Sequence, residues 1–264
     1  MKTYIIEGGI GKAVAFTALI PELAKEEKIQ VYTPYADVFV NNPGVELVFD
    51  SGNVSVHDPR IIKSDRIYRE VYKGNFINGN MHLIEAMCHE YGIEYNPNMK
   101  PELFTDRYVE PQEDYCIIQL SGGQPAVTGD WETEYQPLDA SRNLHPICAQ
   151  NLVNGIKERW PALRIINFTL PNEPVLDNTE RELRPFAWYH EALKNAKFHV
   201  SIDSCLNHFS GSTETPGLVL WGNTKSKQFG YNNNVNLEFS QPNYIDTEVV
   251  IHNLEKFILD EWKP

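Results

Sequence analysis

A short β-type run, Tyr4–Glu7, meets a glycine cluster (Gly8, Gly9 and Gly11) and passes at once into a helical pattern, Lys12–Glu27. Few architectures accept that order. Strand, glycine turn and helix in succession put a backbone-lined loop at the carboxyl end of a first parallel strand. Glycines there let the main chain approach a ligand, and the helix start offers unpaired N–H groups to an anion. A glycine turn that only packs a helix on a strand is the plainer alternative.

Two common loop grammars fail here. A phosphate-binding P-loop reads GxxxxGK and then Ser or Thr. Ile6 stands where its first glycine belongs, and Ala13 follows Gly11-Lys12 where the hydroxyl belongs. The dinucleotide fingerprint GxGxxG fits Gly9 and Gly11, but its third glycine is Val14 and Asp37 is only loosely placed for a ribose. A nicotinamide or flavin site therefore has little support.

The rest of the chain alternates in the same way. Strands are expected at Ile29–Thr33 and Glu46–Phe49, and a helix over Met81–Tyr91 that stops before Gly92. A polar, proline-bearing stretch from Asn96 to Asp114 reads as a linker. A second series follows. Tyr115–Leu120 is a strand running into Ser121-Gly122-Gly123-Gln124, Pro146–Arg159 a helix, and Leu163–Phe168 a strand. Phe186–Asn195 is a helix, Phe198–Ile202 a strand, Leu218–Trp221 a strand, and Val249–Trp262 a terminal helix. The expectation is an α/β chain of two Rossmann-like domains with parallel sheets, residues 1–110 and 111–245, then a C-terminal helix over 246–264. The default ligand site is the cleft such domains face, and the last helix is free to return toward the first domain.

Composition excludes several classes. The 264 residues are 42% hydrophobic and 22% charged, enough for a large core and unlike a disordered chain. A formal net charge of −13 disfavours non-specific binding to nucleic acid or anionic membranes. The segment Arg60–Lys73, with Tyr68 and Tyr72 between its basic residues, reads either as a solvated helix face or as a phosphate-tracking surface. No signal region or apolar run of membrane-spanning length is seen. Cys88, Cys116, Cys148 and Cys205 form no CxxC pair and read as buried thiols, so a cytoplasmic location is expected.

The order of these motifs resembles that of family 9 glycosyltransferases, the ADP-heptose:lipopolysaccharide heptosyltransferase group. The opening GGIGKAVAFTALIPEL is followed by a segment ending in Asn42-Pro43-Gly44-Val45, similar to that family's "P-x-V" element. Later, Asp203-Ser204-Cys205-Leu206-Asn207-His208 and then Pro216-Gly-Leu-Val-Leu-Trp-Gly-Asn-Thr224 are similar to its D-(T/S)-G-x-x-H…L-(F/W)-G-x-T pattern. Cys205 stands for the usual Gly and Ser210 for the usual Ala.

The resemblance implies the GT-B architecture, with a nucleotide-sugar donor bound by the C-terminal domain. Ser121, Gly122, Gly123 and Gln124 would face the diphosphate and a sugar hydroxyl. Thr169 and Glu173 would meet the nucleobase and ribose, with a loop-surface glutamate as the alternative for Glu173. Ser204 and the N–H groups after it would hold the diphosphate at a helix start. Asp203 would order that loop, with Asn207 beside it. His208 would bond a phosphate oxygen or the sugar, or else cap the loop as a buried histidine. Lys225, with Lys227, would offset diphosphate charge or simply be exposed. Gly8, Gly9 and Gly11 would form the acceptor-side loop. No Asp-x-Asp occurs, so no metal and no other cofactor is expected, and backbone dipoles with basic side chains would stabilise the leaving group.

One departure matters most. The family places a catalytic aspartate where this chain has Lys12, and a lysine is protonated at neutral pH unless strongly desolvated. Lys12 would then contact a phosphate, and the base would fall to Glu7, Asp50 or Asp58, which end or follow N-terminal strands. The expected activity is metal-independent transfer from a nucleotide-sugar to a carbohydrate hydroxyl. A phage-type enzyme acting on a hydroxymethylated base in DNA, in a host cytoplasm, is one alternative. A non-catalytic nucleotide-sugar-binding protein is another.

Overall fold

The structure, a computed structural model, describes residues 1–105, 113–122, 142–169, 173, 175–181, 184–240 and 245–261, with side chains to 257. By its internal contacts the chain divides into two units. Unit 1 is Met1–Arg107 together with Phe186–Glu191 and Lys227–Phe229; unit 2 takes the remainder.

Unit 1 is built on a four-stranded sheet of order β3-β2-β1-β4, from β1 (Lys2–Ile5), β2 (Ile29–Thr33), β3 (Val45–Asp50) and β4 (Asp65–Ile67). All of its pairings are parallel, with Thr3 opposite both Gln30 and Arg66. The first helix begins earlier and ends sooner than the sequence pattern indicates. It runs as α1 (Ile10–Phe16), a 3₁₀ turn (Thr17–Leu19) and α2 (Ile20–Leu23). The 3₁₀ turn lies where Thr17 Oγ1 donates to the Val14 carbonyl at 2.6 Å, a local bond that competes with the α ladder. Phe16 is fully buried within an aromatic cluster with Tyr4, Phe39 and Tyr91. After β4 come α4 (Gly74–Ile77) and α5 (Leu83–Tyr91), which ends on Gly92 at φ 69°. Glycine adopts that left-handed geometry without the strain a Cβ brings.

The Asn42-Pro43-Gly44-Val45 element is a packing turn. Asn42 Oδ1 accepts from Gly44 N at 3.0 Å, and a Cβ on Gly44 would lie 2.6 Å from Ile20 Cγ2. Glycine lets the turn into β3 close against α2.

The Arg60–Lys73 segment does not form the helix face the sequence suggested. It holds the short helix α3 (Pro59–Ile62), the strand β4 and an irregular stretch. Arg60 pairs with Asp58 and Lys73 with Glu90, so two of its cations are locally neutralised.

Unit 2 carries a six-stranded parallel sheet of order β10-β9-β8-β5-β6-β7. Its strands are β5 (Tyr115–Gln119), β6 (Arg164–Asn167), β7 (Glu180–Arg181), β8 (His199–Ile202), β9 (Gly217–Trp221) and β10 (Asn234–Glu238). β5, β8 and β9 are buried along their whole length, the mark of central strands covered on both faces. Its helices are α6 (Pro146–Arg159), α8 (Cys205–Ser210) and α10 (Thr247–Glu261), while α7 (Phe186–Asn195) and α9 (Ser226–Phe229) are each divided between the two units. The terminal helix α10 packs on α6, and a Cβ on Gly155 would lie 3.0 Å from Ile251 Cγ1. Val250, Ile251 and Leu254 join Leu152, Val153 and Ile156 in one apolar core.

Candidate active site

Each sheet reverses its winding at one place. In unit 1 the chain moves outward from β1 to β2 and β3, then returns to the other side of β1 as β4. In unit 2 it moves from β5 to β6 and β7, then returns beside β5 as β8. A crevice opens beyond the carboxyl ends of the two strands at such a switch point, and open α/β sheets bind ligands there.

The unit 2 crevice is lined by Ser121 and Gly122 after β5 and by Asp203 and Ser204 after β8. The two loops touch closely: a Cβ on Gly122 would lie 2.8 Å from Ser204 Oγ, so a side chain there would push the loops apart. Gly122 N donates to Asn143 Oδ1 at 2.8 Å. Arg142 Nη1 donates to the Asp203 carbonyl at 3.3 Å and lies 3.7 Å from Asp203 Oδ2. Asp203 is buried whereas Arg142 is half-buried, so a guanidinium sits at the rim with its counter-charge beneath it. Beyond β6, Thr169 Oγ1 donates to Glu173 Oε2 at 2.6 Å, and both residues are buried. Glu173 is thus a buried carboxylate rather than a surface one, and its charge helps burial push the Cys205 thiol up to about 11. Gly123 and Gln124 lie outside the described residues.

The Asp203–His208 segment divides between site and core. Asn207 is fully buried and His208 nearly so; the His208 Nδ1 shares a hydrogen bond of 3.0 Å with Tyr231 Oη. That bond anchors α8 to the loop before β10. α8 is short, and Leu206 N already donates to Gln119 Oε1 at 2.9 Å. Gln119 therefore takes up one of the helix-start N–H groups and ties β5 to α8. Lys225 is exposed after β9 and forms no ion pair with a described residue. Cys205 and Cys148 are only partly buried, whereas Cys88 and Cys116 are buried as expected.

The unit 1 crevice has another character. Gly8 adopts φ 99°, which an L side chain rarely tolerates, while Gly9 at φ −76° and ψ 158° is an ordinary extended N-cap. Gly9's carbonyl accepts from Lys12 N at 3.0 Å, and Gly11 lies within the first turn of α1. Lys12 is only 6% exposed, yet its ammonium forms no ion pair or hydrogen bond with a described residue. It lies over the Tyr72 ring, 5.2 Å from the centroid, a cation–π contact. Burial lowers its proton affinity, and the charges of Glu70 and then Glu7 oppose that.

Glu70 was not singled out by sequence. It follows β4 on the facing side of the crevice. Its Oε1 accepts from Tyr72 N at 2.8 Å and its Oε2 from Tyr68 Oη at 3.1 Å. The Tyr72 backbone bond holds this carboxyl below its usual range; desolvation opposes it, and the Tyr68 hydroxyl, the Lys12 charge and the Val71 backbone N–H add to it. Of the bases expected from sequence, only Glu7 lies near Lys12. Asp50 closes a turn after edge strand β3, accepting from Gly52 N at 2.8 Å. Asp58 caps α3 and binds Arg60, which holds its carboxyl down at about 2. Among the described residues no cluster of three or more His, Cys, Asp or Glu could hold a metal ion, and no helix is long and apolar enough to cross a membrane.

No model of a known protein family matches the chain, and no curated protein matches it in sequence. Solved structures do. Escherichia coli heptosyltransferase WaaC with ADP superposes with TM-score 0.63 at 12% identity, covering 97% of this chain and 99% of that one. A glycosyl transferase family 9 protein from Veillonella parvula DSM 2008 gives TM-score 0.63 at 10% identity, over 98% and 97% of the two chains. The iron-containing dodecameric glycosyltransferase TibC, from enterotoxigenic E. coli H10407, gives 0.65 at 12% identity, covering 94% of this chain and 65% of that one. These likenesses establish the fold: two parallel α/β sheets of the GT-B kind found in heptosyltransferases.

Proposed function

We propose that the chain is a glycosyltransferase that moves a sugar from a nucleotide-sugar donor to a carbohydrate hydroxyl. Unit 2 holds the nucleotide diphosphate and unit 1 supplies the groups that act on the acceptor. The observation that carries the reading is the set of polar groups gathered at the unit 2 switch point, on a fold that matches heptosyltransferases over nearly their whole length. Buried Glu173, already oriented by Thr169, suits a ribose diol. Arg142, Lys225 and the Ser121–Gly122 backbone suit a diphosphate. Leaving-group charge is met by these donors, and transfer proceeds without a bound divalent metal.

A carbohydrate acceptor is favoured over DNA. The basic segment that would track phosphates is broken into α3, β4 and a loop, with Arg60 and Lys73 paired to carboxylates. A panel of nucleoside diphosphates read by thermal shift tests the donor half. One nucleotide class should stabilise the chain, by about 2.7 kcal/mol at a hundredfold excess over Kd. Transfer from the matching nucleotide-sugar should then persist in EDTA. No stabilisation by any nucleotide would overturn the reading, and loss of transfer in EDTA would overturn its metal independence.

A further inference from the structure

We infer that Glu70 is the catalytic base that takes the proton of the acceptor hydroxyl, an inference that rests on the glycosyl-transfer reading above. Four carboxylates in unit 1 end or follow strands or cap the helix before one, and their surroundings separate them. Asp50 is bonded to the turn it closes, and Asp58 to Arg60 and the start of α3. Glu7 is exposed and accepts no hydrogen bond from a described residue, so nothing holds it in one geometry. Glu70 alone is both held and open. Its Oε1 accepts from Tyr72 N and its Oε2 from Tyr68 Oη, with the Val71 N–H close by, and a carboxylate so held still has lone pairs for a further partner. The residue is exposed beyond β4, across the switch point from the Gly8–Lys12 loop.

The neighbours fit the same task. Tyr68 and Tyr72 are 43% and 40% exposed, and aromatic faces of that kind suit the C–H face of a sugar ring. Lys12, buried and without an anion partner, adds a fixed positive charge that favours the carboxylate form of Glu70. Lys12 thus acts as a positioning residue for a carboxylate on the other side of the crevice. In the step itself, the acceptor oxygen forms its bond to the anomeric carbon and passes its proton to Glu70. The bond from that carbon to the diphosphate oxygen breaks, and the electron pair leaves with the nucleoside diphosphate. Water then takes the proton from Glu70.

The test uses the full chain and the nucleotide-sugar it turns over. Glu70→Gln should lower kcat about 10²- to 10⁴-fold while the Kd for the nucleoside diphosphate stays within about twofold. In the wild type the acid limb of kcat should lie below 4.5, the ordinary glutamate value. Tyr68→Phe should shift that limb upward with the fold intact, because it removes one donor to the carboxylate. Glu70→Ala should regain activity with added formate, which a purely structural role would not give. Transfer by Glu70→Gln within about threefold of wild type, with the acid limb unmoved, would overturn this assignment and leave the glycosyl-transfer reading standing. A wild-type chain that transfers nothing would overturn both.

Discussion

The two switch points solve opposite problems. In unit 2 several polar groups around the crevice are already bonded to one another, some of them buried: Gln119 to Leu206, Gly122 to Asn143, Thr169 to Glu173, His208 to Tyr231. Groups fixed before a ligand arrives lose little entropy on binding it, so that crevice is suited to recognition. In unit 1 Glu7 and Glu70 are exposed, and the buried ammonium of Lys12 forms no bond with a described residue beyond the face of Tyr72. Such an arrangement is poor at holding a ligand by itself. It is good at controlling a charge.

Acid should separate the two sheets most strongly. His199 is fully buried in β8, its Nε2 sharing a hydrogen bond of 3.0 Å with Asn234 Oδ1. Burial pushes its titration from 6.5 down to about 4, with the Asn234 bond acting weakly in the other direction. Between those values the unfolded chain binds a proton that the folded one refuses. Stability is therefore full above pH 6.5 and falls as pH drops toward 4, by about 3 kcal/mol in all. The four-stranded sheet of unit 1 contains no histidine. Hydrogen exchange should therefore accelerate in β8 and β9 through this window, after correction for intrinsic rates, before it does in β1 and β2. Equal acceleration in both sheets would erase the contrast.

A smaller effect tests recognition directly. Replacing Glu173 by Gln keeps the shape but removes the charge that orients Thr169 and would meet a ribose. Charged hydrogen bonds contribute about 1.5–3 kcal/mol, so nucleoside diphosphate affinity should fall on the order of tenfold or more by calorimetry. Lys12→Met should leave that affinity unchanged. If Lys12→Met weakened nucleotide binding as much as Glu173→Gln, the division between recognition and chemistry would collapse.

What the sequence revealed followed how local each signal was. The loops at Gly8–Gly11, Ser121–Gly122 and Asp203–Ser204 were legible because each follows a strongly apolar strand, and strand ends are marked by local composition. The parallel, two-sheet architecture followed from the alternation of those strands with helices. Glu70 was hidden because the strand that presents it, Asp65–Ile67, is short, polar and at a sheet edge, inside a segment dominated by basic residues. Strands β7 and β10 escaped for the same reason, one very short and both at the sheet's outer edges. Burial was the other blind spot. His208 stands out in the sequence beside Asn207, yet Asn207 lies in the core and His208 is bound by Tyr231, a partner far along the chain. Asn42–Val45 likewise serves packing, as its turn closes against α2.

The smallest predicted effect bears on why Lys12 is there at all. A buried ammonium without an anion costs stability, because it loses hydration that the Tyr72 ring only partly replaces. Replacing it with a methionine of similar length should stabilise unit 1, by roughly 1 kcal/mol at neutral pH, as when other buried charges give way to apolar groups. The sign with pH is fixed as well. Burial lowers the proton affinity of Lys12 in the folded chain below 10.5, so the unfolded chain binds the extra proton as pH approaches that value. Wild-type stability should therefore gain on Lys12→Met as pH rises toward 10.5, and the difference in denaturant midpoint between them should narrow. The same variant should show the acid limb of transfer moved upward, because Glu70 would lose a charge that favours its ionised form. A variant that is more stable yet loses activity sooner in acid marks a residue kept for chemistry at a cost in folding. A Lys12→Met chain that is less stable than wild type would instead make Lys12 a structural lysine, and the unit 1 crevice would lose its claim to differ from that of unit 2.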